Sequence, residues 1–255
     1  VGNVHFVQLP FLGNYKGDGV IAEYAAAFDW LDADLRASSA QWKVVCVHWG
    51  PYTTGDHGTG LAAGDNTAEG VCDMVRALTP ILSRNHVDLV LQAHDHVFTK
   101  TVPYLWDTVG YTSSTNDATK LNLNPATRVI DGETYDVNPT GTYYVCTGCA
   151  GHRAAEEPDY PTIDGAKSFT RRDPRIVVGK ICVDSRFRNI GDYASADFHE
   201  IDAKGFQMFG VLKVDGDRLA YDFYVAEEDG TSTLVDKLRV CKPVTPTNGF
   251  SVMLK

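Results

Sequence analysis

Apolar positions in the first hundred residues follow two rhythms. Asn3 to Leu9 alternate and stop at Pro10, which predicts a strand. Ile21, Tyr24, Phe28, Leu31 and Leu35 recur at helical spacing, so 21–36 predicts an amphipathic helix, ended by Ser38-Ser39. Trp42 to Val47 is a short, valine-rich apolar run that suits a buried strand. Gly50 to Asp65 is glycine-rich and polar and predicts a loop. Asn66 and Glu69 then resemble a capping box. Val71, Met74, Val75, Leu78, Ile81 and Leu82 mark a second helix, with a kink or break expected at Pro80. Val87 to Leu91 is another buried strand, and it runs into Gln92-Ala93-His94-Asp95-His96.

Past Thr101 the texture changes. Residues 105–140 are rich in Asn, Asp, Thr and Gly and read as a long insertion with short hairpins. Thr142 to Cys146 predicts a strand. Residues 150–205 are polar and irregular, with helical turns expected near 162–169 and 195–201. Phe206 to Val214, Arg218 to Val225 and Thr233 to Val240 predict three sequential strands, the first two joined at Asp215-Gly216-Asp217. Helix and strand alternate early and strands follow late, so the class is α/β (α+β). A single domain over 1–255 is expected. It comprises a βαβαβ core at 1–104, insertions at 105–205 around the strand at 142–146, and closing strands at 206–241.

Composition narrows the function only a little. The 255 residues are 44% hydrophobic and 22% charged, ordinary for a globular protein. The net charge of -10 disfavours a nucleic-acid backbone as the main partner, since that needs a basic surface. It leaves a phosphate ester open, because bound cations invert the local field. No stretch approaches the roughly 20 apolar residues of a membrane helix. The chain opens within a strand and without Met, and is expected to be cut from something longer. The six cysteines do not have the density of a disulfide scaffold. Cys46 and Cys72 read as buried thiols. Cys146 and Cys149 have CxxC spacing but no second pair for zinc and no evident helix N-terminus for redox work.

The histidines carry the chemistry. His48 ends one buried strand, and His94 and His96 follow another. In open α/β sheets, ligands bind at the C-terminal ends of the strands. Imidazole ligates Zn, Fe, Ni and Cu, and residues two apart in an extended segment share a face. A hydrogen-bonded surface role is the other reading of any one such histidine; three at two strand ends favour a metal site.

Val45-Cys46-Val47-His48-Trp49-Gly50-Pro51-Tyr52 resembles the VxxH motif of the calcineurin-like metallophosphoesterases, and His94-Asp95-His96 resembles their GHxH motif. Gly2 to Leu9, Asp29-Trp30-Leu31, Gly141 to Val145 with Gly148 to Gly151, and Phe209 to Tyr224 are similar to segments of the purple acid phosphatase-like branch. The resemblance implies the C-terminal half of a four-layer αββα sandwich, a mixed sheet with helices on one face. It implies His48 and His94 as ligands of one ion and His96 as a ligand of a second. His57 falls where this branch often places a substrate-facing histidine, which would stabilise or protonate the phosphoryl group; the other reading is a solvated loop residue. The ions implied are Fe, Zn or Mn, two of them in the intact enzyme, about 3.5–4 Å apart, activating a water and clamping the phosphate. The implied substrate is a phosphate ester and the implied location extracellular.

The chain departs from the family pattern. Ala93 replaces the glycine of GHxH, and the family's first Asp motif, GDxxY and GNH[DE] are absent from these residues. Gly191-Asp192-Tyr193 has the letters but the wrong position. Three imidazoles without bridging carboxylates hold at most one ion weakly, so little or no phosphatase activity is expected of the chain alone. A half sandwich is also expected to expose sheet surface and self-associate through it. Two further readings are a non-catalytic binding module that keeps the fold, and a redox protein using Cys146 and Cys149.

Overall fold

The computed structural model describes residues 3–10, 19–52, 73–93, 98–107, 119–122, 124–147, 180–183, 186–189, 207–226 and 229–243. The expected cap at Asn66 and Glu69, the glycine-rich loop beyond Tyr52 and the helical turns near 162–169 and 195–201 lie outside these residues.

Along the chain come β1 (Val4–Gln8), α1 (Gly19–Ala37), β2 (Trp42–Trp49), α2 (Asp73–Arg84), β3 (Leu89–Ala93), β4 (Phe98–Lys100), β5 (Tyr104–Trp106) and β6 (Thr119–Leu121). They are followed by β7 (Thr127–Ile130), β8 (Glu133–Val137), β9 (Tyr143–Thr147), β10 (Lys180–Val183), β11 (Arg186–Asn189), β12 (Gln207–Asp215), β13 (Arg218–Ala226) and β14 (Ser232–Cys241). One mixed sheet has the order β1-β2-β3-β9-β4, parallel except for β4. A second has the order β12-β13-β14-β8-β7. β5–β6 and β10–β11 form two small antiparallel pairs.

The first sheet is apolar on both faces, which is why β2 reads as an unbroken apolar run. On one face Val7, Val45, Val47, Val90 and Tyr144 pack against Tyr24, Phe28, Leu31 and Leu35 of α1 and Leu78, Ile81 and Leu82 of α2. On the other, Trp42, Val44, Leu89, Tyr143 and Val145 meet Leu219, Tyr221, Phe223, Leu238 and Val240 of the second sheet. Among the described residues the result is three layers, helices on sheet on sheet, of the α/β class expected. Full burial of each such side chain stabilises the fold by about 1.5–3 kcal/mol.

Three expectations are revised. The sheet face expected to lie open is covered over β2, β3 and β9 by this chain's own closing strands, because those strands form a second layer rather than extending the first. Apolar exposure persists at the β1 edge, where Phe6 is 53% exposed. Of the kink or break expected at Pro80, the break does not occur: the helix runs through it, from Asp73 to Arg84. Buried Leu78, Ile81 and Leu82 hold both sides of the proline to the core and offset the lost hydrogen bond. The 150–205 stretch also holds the β10–β11 hairpin, which its polar texture conceals.

Turn chemistry fixes the register. Asp131 and Gly132 both have positive φ in a two-residue link between β7 and β8, the type I′ requirement. Gly216 alone is positive in the link between β12 and β13, the type II′ pattern. α2 ends in a Schellman motif: Val87 N–H bonds Leu82 O at 3.0 Å and His86 N–H bonds Ser83 O at 3.2 Å, with His86 at φ 53° where glycine is usual.

Candidate metal centre at the strand ends

The N-terminal end of the parallel sheet is welded by polar contacts. The Trp42 indole donates to Gly216 O at 2.9 Å, and Asn3 Nδ2 donates to the same oxygen at 2.7 Å, so both grip the β12–β13 turn. Lys242 Nζ lies 2.6 Å from Asp88 Oδ1 and 4.6 Å from the centre of the Trp42 ring. Lys43 N–H donates to the other Asp88 oxygen at 2.9 Å. Burial nevertheless pushes the Asp88 carboxyl up, against the pull of Lys242 and Lys43. Asp32 of α1 accepts from Arg84 Nε at 2.8 Å and Asn85 Nδ2 at 2.6 Å at the end of α2.

The C-terminal end is built differently. Val47 pairs with Gln92, and the next pair is Trp49 with Ala93. Two steps along β2 thus answer to one along β3, and His48 is the extra residue of a β-bulge. Bulges re-aim side chains and gather beside functional sites; in parallel pairing they are rare. His48 is half-buried. Ala93, which pairs with Trp49, directly precedes His94 in the chain. The structure thus places His48 at the expected strand end; His57, His94 and His96 lie outside the described residues. Among the described residues no group of three metal-ligating side chains occurs. Of the three expected ligands, His48 is the one that falls among the described residues, on a bulge where two parallel strands end.

Below this rim the sheets are tied by Tyr221 and Thr147, whose hydroxyls stand 2.7 Å apart. Gly210 makes room for that phenol, since a Cβ there would stand 1.9 Å from the hydroxyl oxygen. Burial raises the Tyr221 pKa and keeps the phenol protonated. Cys46, two residues before His48, is a half-buried free thiol that burial pushes up to about 11, so it is unreactive at neutral pH. Cys146 is buried, and Cys149 lies outside the described residues.

Sequence reading passed over Gln92. It is 5% exposed, and its amide bonds the loop that follows His48. A buried polar residue beside a metal-type motif was the available signal. The described residues also line a cleft of about 490 Å³, but it opens by the N-terminal end of β9, between Lys100, Tyr143, Glu133 and Arg239. Its charged side chains are engaged: Glu133 accepts from Arg239 Nε and Lys237 Nζ at 2.6 Å each, Lys100 pairs with Asp236 at 2.8 Å, and Asp136 accepts from the Tyr143 hydroxyl. No described helix is long and apolar enough to cross a membrane.

Comparison with known proteins agrees with the motif reading over part of the chain. Purple acid phosphatase 7 of Arabidopsis thaliana is 38% identical over 66 residues, 26% of this chain and 17% of that protein. Purple acid phosphatase 3 of the same plant is 41% identical over 66 residues, 26% of this chain and 15% of that protein. A solved structure of purple acid phosphatase PPD1 from yellow lupin (Lupinus luteus) seeds aligns with 94% of this chain and 31% of its own, at a TM-score of 0.43 and 13% identity. No family model matches the chain. The chain is α/β in class and, over a stretch of 66 residues, is related in sequence to purple acid phosphatases. The sequence matches span less than a fifth of the relatives' lengths.

Proposed function

We propose that the chain is the metal-binding C-terminal part of a phosphoesterase-type hydrolase. His48 and His94 ligate one ion, His96 ligates a second, and His57 faces the phosphoryl group. The observation that carries this reading is the bulge that sets His48 at the end of β2, with the strand leading to His94 paired alongside.

Bound ions of the Fe, Zn or Mn kind would supply Lewis acidity toward a phosphate ester and its attacking water. The chain's own contribution is to orient. The bulge fixes the His48 backbone, and the buried sheet holds β2 and β3 in register. His57 stabilises or protonates the phosphoryl group. These residues contain three imidazole donors and no carboxylate at the motif positions that bridge two ions in the family. The isolated chain therefore holds at most one ion and turns over little or no ester. An extracellular location and self-association through the β1 edge, where Phe6 is exposed, belong to the same proposal.

The test is metal analysis and phosphatase assay of the purified chain after dialysis against Zn, Mn or Fe. The expected result is no more than about one ion per chain, lost in His48→Ala, and no steady turnover of p-nitrophenyl phosphate. Turnover by the chain that His94→Ala abolishes would overturn the inactivity. Metal content unaltered by His48→Ala and His94→Ala would overturn the site.

A further inference from the structure

One side chain ties the segment after His48 to β3. Gln92 carries a primary amide, with two donors and one two-lone-pair acceptor. Both ends of that amide go to a single residue: Nε2 donates to Tyr52 O, and Oε1 accepts from Tyr52 N–H at 3.3 Å. This two-point pairing sets both the position and the direction of the loop, as a strand neighbour would. Gly50 supplies the room. A Cβ at position 50 would stand 2.2 Å from Gln92 Oε1 and 2.5 Å from its Cβ and Cδ, closer than real atoms come.

Tyr52 anchors the far end. Its ring is fully buried and meets Tyr104 and Tyr144 edge-on, with centroids 4.7 Å away in each case. Thr79 Oγ1 of α2 donates to its hydroxyl at 3.4 Å. His48 is thus held from two directions. The β2–β3 ladder is in register up to Val47, and the Gln92 clamp takes over from Gly50 to Tyr52.

We propose that Gln92 is a positioning residue, whose amide holds the 50–52 segment against β3 and so fixes where the His48 imidazole stands relative to the His94 end of that strand. The proposal rests on the metal reading above. Side chains that orient ligands from behind typically change metal affinity by about 10–100-fold when lost.

The experiment is a cobalt(II) titration of the full chain, followed by visible absorption. It compares wild type, Gln92→Leu, Gly50→Ala and His48→Ala, with amide exchange of Tyr52 and circular dichroism as parallel readouts. Gln92→Leu keeps much of the volume and removes both hydrogen bonds. It is expected to stay folded, speed exchange at Tyr52 and weaken cobalt binding about 10–100-fold; His48→Ala is expected to abolish binding. Gly50→Ala, which keeps the Gln92 side chain but drives it and the loop apart, is expected to weaken cobalt similarly and decides the matter if Gln92→Leu misfolds. Unchanged cobalt affinity in a folded Gln92→Leu, with binding lost in His48→Ala, overturns the positioning role and leaves the metal site standing; unchanged affinity in Gly50→Ala overturns it in the same way. A wild-type chain that binds no cobalt overturns the metal site and the positioning role together.

Discussion

The two ends of the parallel sheet are made by opposite means. At the N-terminal end, charged and aromatic side chains weld helices and both sheets together: Asp88 with Lys242, Trp42 with Gly216, Asp32 with Arg84 and Asn85. At the C-terminal end, apart from the Tyr221–Thr147 tie between the sheets and the Thr79–Tyr52 bond to α2, the described features shape backbone. Gln92 holds a loop, and a bulge displaces His48. The first end stabilises the fold; the second presents a histidine. This is the division expected when ligands bind at strand C-termini and the opposite rim is free to serve stability.

Substitutions at the welded end are expected to cost the most. Trp42→Ala removes a fully buried indole from the inter-sheet core and leaves Gly216 O with one donor fewer. Urea unfolding is expected to show a loss of about 3–5 kcal/mol. Lys242→Met strips the largest favourable influence from an Asp88 carboxyl already strained by burial. The same measurement should show a loss of about 1–3 kcal/mol, with Asp88→Asn in that background recovering part of it. A loss under half a kcal/mol from either change would erase the contrast between the ends.

A gain of about 1 kcal/mol is expected from His86→Gly, because glycine adopts the positive φ of the α2 cap without steric cost. A loss would place His86 in some other role. His48→Ala is expected to change the unfolding free energy by about 0.5 kcal/mol or less, since its side chain lies outside both core clusters. A multi-kcal loss there would make it a structural residue.

Acid sharpens the contrast further. Arg84 is the main reason the Asp32 carboxyl is held at about 2, with Asn85 and Arg36 adding to it against burial. Arg239 and Lys237 hold Glu133 at about 2 likewise. Both folded values lie below the ordinary carboxylate range. Their stabilisation is therefore complete above about pH 4.5 and lost as the pH falls through about 2. The pairs sit near the surface, so the effect is small. Asp32→Asn is expected to flatten the acid limb of a stability–pH curve slightly, and an unaltered limb would show that this pair contributes nothing.

The layers were legible in the sequence because burial imposes a period. Tyr24, Phe28, Leu31 and Leu35 at helical spacing are the buried face of α1, and the unbroken run at Val44 to Val47 reflects a strand covered on both sides. The closing strands followed from alternation and a glycine turn. What stayed hidden had no period. The Asp131-Gly132 turn lay in a polar tract, and the bulge at His48 is a one-residue slip that no alternation reveals. The helix through Pro80 survives by packing on residues distant in sequence. Of the site, the motif residues were legible and Gln92 was not, because its role depends on Gly50 and Tyr52, forty residues earlier in the chain.

Anomalous scattering from zinc-soaked crystals of the chain measures the metal centre most directly. The predicted result is a peak about 2.0–2.1 Å from a ring nitrogen of His48, with His94 on the same ion and His96 at the same rim. No peak near His48, or the three rings turned away from one another, would contradict the metallophosphoesterase reading of the site.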